Sequence, residues 1–377
     1  MTGMYSVILN GVTNLRVEKW GRDMRKFRVN IWDNGEYEYQ AAYGFAPFIK
    51  AYLHEDIKDA PRGVMLVAPG GGYCMCVPHE GEPVALEFFN KGYDAYVLTY
   101  TTDVTMSIPL MDIPLKDISR AVRLIRRARR DAGITDEKLV ICGFSAGAHL
   151  CGSLVTHYMD VKDPNEELNA ISNRPDAAIL SYPVITMGRY THDGSRESLL
   201  GRRPSAEDKK YYSLENHVNK NTPPCFLWQT AEDELVPVNN SYLFAQALIK
   251  AGVPCAHYVF PFGLHGLSLA RELTEVQDDY TFEQLDAVIK ALYEDRTIAV
   301  SDQRIAELKD QFSEGWQDES MGTVLSDSSV EKDISCSPEI SDESDRTVPI
   351  DSSPDSPDVA MWPSLAVQFL DRLWDKI

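Results

Sequence analysis

The stretch KLVICGFSAGAHLCG, residues 138–152, decides the fold. Four apolar residues, Leu139 to Cys142, run into Gly143-Phe144-Ser145-Ala146-Gly147, and a helix-compatible segment follows. A short, continuous apolar run is the pattern of a strand covered on both faces. The junction has two readings. One is a small-residue turn where a strand and a helix pack closely. The other is a nucleophilic serine on a strained elbow, its Oγ projecting above the sheet near the start of the next helix. A lone G-x-S-x-G discriminates poorly, because Gly and Ser are common. Its position at a strand-to-helix junction is the context that the chemistry requires.

Outward from that stretch the same rhythm repeats. GVMLVAPG (63–70), DAYVLTY (94–100), DAAILSYP (176–183), CFLWQT (225–230) and AHYVFP (256–261) read as further buried strands. Between them EPVALEFFNKG, LKDISRAVRLIRRARRDAG and SYLFAQALIKAG read as helices, each closing on a glycine. In the second, Ile118, Ala121, Val122 and Ile125 recur at helical spacing while six arginines fill the other face. Alternating β and α predicts an α/β fold with a mostly parallel central sheet flanked by helices.

The domain reading follows from composition. Residues 1–46 form an N-terminal extension in which FRVNIW and EYEYQAAYGF suggest edge strands. Residues 47–270 are the α/β core, with a long polar connection at 187–222 of a length that suits a small cap; whether it caps the site is not legible. Residues 271–313 read as a helical insertion, 314–358 as an acidic, disordered low-complexity segment, and 359–377 as a terminal helix docking on the core. In that last helix Leu365, Phe369, Leu370 and Trp374 are expected to share one face.

The formal charge of −20 argues against a nucleic-acid partner and an anionic membrane surface. It is unevenly spread: residues 314–358 hold thirteen Asp and Glu against Lys332 and Arg346, a balance of −11. Acidity therefore says little about the substrate. There is no signal-peptide pattern and no apolar run of membrane-spanning length, and the seven cysteines are odd in number and irregularly spaced. The expectation is a reduced, cytoplasmic protein. Cys74 and Cys76 have no second Cys/His pair at ligand spacing, so neither metal nor other cofactor is expected.

Three further signals bear on Ser145. LVAPGGGYCM (66–75) places glycines directly after a strand, without the G-K-[ST] of a nucleotide loop. Its Gly71 and Gly72 N–H groups, with that of Ala146, are candidate oxyanion donors. QTAEDELVPV (229–238) puts Asp233 after another strand, with Glu232 and Glu234 as rivals. FPFGLHGLSL (260–269) puts His265 in a loop after the last one. Ser145, Asp233 and His265 thus stand in the Ser…Asp…His order, each behind its own strand. Tyr73 and His79 are candidate pocket residues, Trp228 a pocket or core aromatic, and His149 a structural histidine.

PGGGY (69–73), EGEPVALEFFNKGYDAYVLTY (80–100), GFSAGAHL (143–150), PPCFLWQTAEDELVPV (223–238) and GLHGLSLA (263–270) resemble the motifs of the α/β-hydrolase superfamily, specifically the bacterial branch of acetyl esterases and acetylxylan esterases. The resemblance covers residues 47–270 and MWPSLAVQFL near the C-terminus. It departs at Ala148, where the family usually has Gly, and in the roughly 90 residues separating the His265 loop from the last helix. It implies an α/β-hydrolase fold and a serine carboxylesterase removing small acyl groups, most plausibly acetyl, from carbohydrate or other small esters. Ser145 would be the nucleophile, His265 the base and Asp233 its orienter. A peptidase or amidase on the same fold and a non-catalytic binding protein are the alternatives. The expected partner is a small-molecule or oligosaccharide ester; the oligomeric state is not legible.

Overall fold

The computed structural model describes residues 18–20, 24–33, 35–37, 39, 45–55, 62–134, 138–271, 300, 304 and 356–376. Most of the 271–313 and 314–358 segments therefore lies outside the described residues.

The six apolar runs become β4 (Val64–Ala68), β5 (Asp94–Thr99), β6 (Leu139–Phe144), β7 (Ala177–Ser181), β8 (Cys225–Thr230) and β9 (Cys255–Phe260). They pair in parallel in the order β5-β4-β6-β7-β8-β9. Three antiparallel strands extend the β5 side: β3 (Phe48–His54), β2 (Met24–Asn30) and β1 (Glu18–Trp20). β2 accounts for most of FRVNIW. The described residues of EYEYQAAYGF (Glu36, Tyr37, Tyr39, Phe45) carry no strand.

β3 went unpredicted, although all seven of its residues are buried. Lys50 and His54 break its apolar run. Each meets a residue distant in sequence: Lys50 pairs with Glu82 at 3.1 Å and His54 Nδ1 contacts Asp94 at 3.0 Å. The His54 ring also stacks on Phe89.

Alternation along the buried strands feeds two cores. On β6, Leu139 and Ile141 face one side, while Val140, Cys142 and Phe144 face the other. The first side is covered by α2 (Ile113–Asp131), α3 (Ser145–His157) and α7 (Asn239–Ala251). The second is covered by α1 (Glu82–Asn90) and α8 (Trp362–Trp374). Helices on both faces of a sheet whose central strands are parallel are the α/β-hydrolase arrangement.

Two details correct the helical patterns read from sequence. Arg120, Arg123 and Arg129 of α2 are buried rather than part of a solvated face. Arg120 meets Asp163 and Glu36, Arg123 donates to four backbone carbonyls, and Arg129 meets Asp94. Buried charge is tolerated where carboxylates or several carbonyls meet it in this way. On α8 the buried stripe is Trp362, Ala366, Leu370 and Leu373, with Leu365, Phe369 and Trp374 half-buried at its flanks. The indole of Trp362 turns the helix toward the sheet, where it packs on Trp228, Phe144 and Phe88.

The 187–222 connection is not irregular. After the short α4 (Glu166–Asn169) and β7, it folds as α5 (Asp193–Leu200), α6 (Ala206–Tyr211) and a 3-10 turn at Leu214–Asn216.

Candidate active site

Ser145 is the first residue of α3, directly after β6, with φ +51°. That left-handed backbone is unfavourable for a residue with a Cβ, and the flanking glycines make it possible. A Cβ on Gly147 would stand 2.2 Å from the Ala68 carbonyl oxygen and 2.3 Å from that of Pro69; one on Gly143 would stand 2.3 Å from the Gly147 carbonyl oxygen. Helix α3 therefore starts in backbone contact with the end of β4, as close strand–helix packing and a serine elbow both require.

The loops after β8 and β9 meet above this elbow. His265 Nε2 lies 2.8 Å from Ser145 Oγ, and its Nδ1–H donates to Asp233 Oδ2 at 2.7 Å. Asp233 is buried, and its other oxygen accepts the Leu235 and Val236 N–H groups at 3.1 and 2.8 Å. Gln229 Nε2 donates to Oδ2 at 3.2 Å. A carboxylate so held is an acceptor only, so the neutral imidazole carries its proton on Nδ1 and turns a lone pair toward Ser145. The rivals Glu232 and Glu234 are exposed; Glu232 accepts from the Gly263 N–H at 3.1 Å and so joins the two loops.

The glycine loop follows β4. Gly71 (φ +116°) and Gly72 (φ +65°) occupy conformations that favour glycine. Among the described residues no acceptor takes either N–H. The Ala146 N–H belongs to the first turn of α3, which lacks intrahelical acceptors. Gly70 N–H is already committed, donating to Glu80 Oε2 at 2.6 Å.

Other singled-out residues sort as follows. Tyr73 is not an open pocket residue: its side chain is buried, and its hydroxyl donates to His149 Nδ1 at 2.8 Å. His149 Nε2 in turn donates to the Tyr212 carbonyl at 2.9 Å. Burial lowers the His149 pKa to about 4, so it sits neutral in the core. His79 lies against the histidine loop, its Nε2 donating to the Gly266 carbonyl at 3.2 Å. It braces that loop from a half-buried position. Trp228 is a core residue, edge-on to Tyr182 and stacked on Trp362.

Two residues near the site are not among the candidate site residues read from the sequence. His192 caps α5 with its Nδ1, which accepts the Ser195 N–H at 3.3 Å, and its Cε1 lies 3.9 Å from where a Gly72 Cβ would stand. Burial, and then the proximity of His265, lower its pKa. Glu80, buried beside Gly70, is the other. His192 lies in the long polar connection 187–222, and Glu80 opens the family-like stretch EGEPVALEFFNKGYDAYVLTY without a role read for it.

Among the described residues no group of three or more His, Cys, Asp or Glu is arranged to hold a metal, and no helix is long and apolar enough to cross a membrane.

Comparison with known proteins places this geometry in a lineage. The BD-FAE family model matches residues 51–248, more than half of the chain; the match includes Ser145 and Asp233 and stops short of His265. Endo-1,4-beta-xylanase B of Butyrivibrio fibrisolvens is 54% identical over 283 residues, covering 71% of this chain and 44% of that protein. An acetylxylan esterase of Xylanibacter ruminicola is 30% identical over 269 residues, covering 69% of this chain and 50% of that protein. The chain thus spans about half the length of the curated relatives it matches. Among solved structures, an acetyl ester-xyloside bifunctional hydrolase from Caldicellulosiruptor lactoaceticus is similar with a TM-score of 0.60 and 35% identity, over 70% of this chain and 96% of that one. By fold, elbow and family match, the chain belongs to the BD-FAE family of α/β hydrolases.

Proposed function

We propose that this protein is a serine carboxylesterase that removes acetyl groups from acetylated xylan fragments. The observation that carries the reading is the unbroken chain Ser145 Oγ, His265, Asp233, with spacings of 2.8 and 2.7 Å. The names of the relatives support the substrate: one is an acetylxylan esterase and another an acetyl ester-xyloside hydrolase. The xylanase name belongs to a protein of which this chain covers 44%, so glycosidic cleavage is not carried over.

In this reading His265 Nε2 takes the Ser145 proton as Oγ attacks the ester carbonyl. Asp233 holds the tautomer and stabilises the imidazolium that forms. The N–H groups of Gly71, Gly72 and Ala146 receive the developing oxyanion, each such donor contributing about 3–4 kcal/mol to the transition state. His265 then returns the proton to the departing sugar hydroxyl, leaving acetyl-Ser145. Water, deprotonated by the same imidazole, releases acetate.

The test is hydrolysis of p-nitrophenyl acetate, butyrate and octanoate, and acetate release from acetylated xylo-oligosaccharides, by wild type and Ser145→Ala. Expected are a preference for acetate and a loss of about 10⁴-fold or more in the variant. Activity surviving Ser145→Ala would remove the nucleophile. Release of acetate from nitrophenyl esters but not from the oligosaccharides would remove the substrate.

A further inference from the structure

Glu80 is a buried carboxylate with no cationic partner among the described residues. It stands in the 3-10 turn Pro78–Glu80 that precedes α1. An unpaired buried carboxylate is expensive unless donors satisfy it, and such groups concentrate where a protein needs them. The donors it has chosen lie on both sides of Ser145.

On one side Oε2 accepts the Gly70 N–H at 2.6 Å. The contact requires glycine: a Cβ at position 70 would lie 2.7 Å from that same oxygen, 2.8 Å from the Phe144 carbonyl oxygen and 3.0 Å from Ser145 Cβ. Gly70 is thus wedged between Glu80 and the elbow, and it leads directly into Gly71 and Gly72. On the other side Oε1 accepts the Tyr182 hydroxyl at 2.5 Å. That hydroxyl accepts the Ser268 N–H at 3.0 Å, and the Tyr182 ring lies edge-on to His265 with centroids 4.9 Å apart.

The same turn holds the histidine loop twice more. His79 Nε2 donates to the Gly266 carbonyl at 3.2 Å, and the His79 carbonyl accepts from Ser268 Oγ at 2.7 Å. Tyr182 (φ +36°) and Ser268 (φ +49°) both sit in the left-handed region, and their hydrogen bonds hold that strain in place.

We infer that Glu80, acting through Tyr182, is a positioning residue that locks the oxyanion loop and the His265 loop into one register across Ser145. Neither side chain touches the reacting atoms. Each fixes where another group stands: Glu80 the Gly71 and Gly72 N–H groups, and Tyr182 the imidazole. This rests on the esterase reading of the site and deepens it.

The test compares Tyr182→Phe, Glu80→Gln and the double variant with wild type. Tyr182→Phe keeps the ring against His265 and deletes only the hydroxyl. In Glu80→Gln the amide oxygen still suits Gly70, but the NH2 meets a hydroxyl that can no longer donate to it. Each single variant is expected to lower kcat for p-nitrophenyl acetate by about 10–100-fold while KM moves less than about threefold. Labelling of Ser145 by a fluorophosphonate, which needs both the base and the oxyanion donors, should slow in parallel. Because the two residues act along one chain, the double variant should be no worse than the poorer single one. All rates are taken below the onset of melting measured for each variant.

Unchanged kcat with a lowered melting temperature would overturn the proposal and leave a purely structural brace. Multiplicative losses in the double variant would overturn the coupling. If Glu80→Gln fails to fold, Tyr182→Phe alone decides, since the predicted kcat loss is then read from that variant. Ser145→Ala run alongside keeps the two readings apart: an inactive Ser145→Ala beside fully active brace variants sinks only the brace, whereas an active Ser145→Ala sinks the site.

Discussion

The sharpest consequence of the geometry concerns Asp233→Asn. The carboxylate accepts from four groups: Leu235 N–H and Val236 N–H on Oδ1, and Gln229 Nε2 and His265 Nδ1 on Oδ2. An asparagine has one acceptor and one donor end. If its NH2 faced Leu235 and Val236, two buried N–H groups would confront a donor, at about 1–3 kcal/mol each. The amide oxygen therefore stays with them, and the NH2 turns to His265. That NH2 donates to Nδ1, forces the ring proton onto Nε2, and leaves no lone pair for Ser145. Gln229 loses one acceptor but keeps the Val236 carbonyl at 2.5 Å, so the fold should lose only about 1–2 kcal/mol. A base in the wrong tautomer costs about 10⁴ in kcat, or about 5.5 kcal/mol of barrier. The assay is kcat and KM on p-nitrophenyl acetate with urea unfolding of the same preparations. A variant within tenfold of wild type, beside an inactive Ser145→Ala, would refute the tautomer reasoning.

Other consequences are quickly stated. Gly147→Ala drives a Cβ to 2.2 Å from a backbone oxygen that has no rotamer to escape into; it should destabilise by about 3 kcal/mol or more, and an unchanged melting temperature would contradict the elbow packing. Trp362→Ala empties a fully buried site among Phe88, Phe144 and Trp228, with an expected loss of about 3–5 kcal/mol in urea titration. Trp362→Phe chiefly removes the 2.8 Å bond from Nε1 to the Ser268 carbonyl, so it should cost about 1 kcal/mol, and a loss as large as that of Ala would assign the energy to the hydrogen bond. His149 is buried neutral with its pKa lowered to about 4, so between pH 6.5 and 4 the unfolded chain binds a proton that the folded one refuses. Stability is therefore lost as pH falls through that window. Between pH 7 and 5 the wild type should lose roughly 2 kcal/mol more than His149→Gln. Asp117, which burial raises to about 6, contributes with the opposite sign but cancels in that difference; equal losses would mean that His149 does not titrate as placed.

What was legible in the sequence depended on whether a residue's environment is made by its neighbours in the chain. β4 to β8 are buried on both faces, so their own residues had to be apolar, and a continuous run announces that. β3 is equally buried, but its Lys50 and His54 are met by Glu82 and Asp94, which arrive from elsewhere. No local pattern reveals such a rescue. The burial of three arginines of α2 is illegible for the same reason: helical spacing puts them opposite the apolar face, while Asp163, Asp94 and the carbonyls of residues 161–171 make their burial tolerable.

The same distinction runs through the site. Ser145, Asp233 and His265 follow separate strands, and a parallel sheet delivers the carboxyl ends of its strands to one edge. Their arrival at one edge is thus implied by the topology that the apolar runs encode, while the spacings of 2.8 and 2.7 Å are set by the loops that carry Asp233 and His265. Tyr73 in the glycine loop and His79 close to it read from sequence as candidate pocket residues. Proximity in the chain says nothing of direction: the Tyr73 hydroxyl goes down to His149, and the His79 ring goes across to Gly266. The residues that hold the reacting groups in place are accordingly the illegible ones. Glu80 opens a stretch that carries the family resemblance but shows no role by itself, and its partners Gly70, Tyr182 and, through Tyr182, Ser268 come from three other segments. Groups that react in the proposed mechanism announce themselves by type and by strand, because the chemistry admits few alternatives. Groups that position them are defined by what they touch, and only a folded chain brings that together.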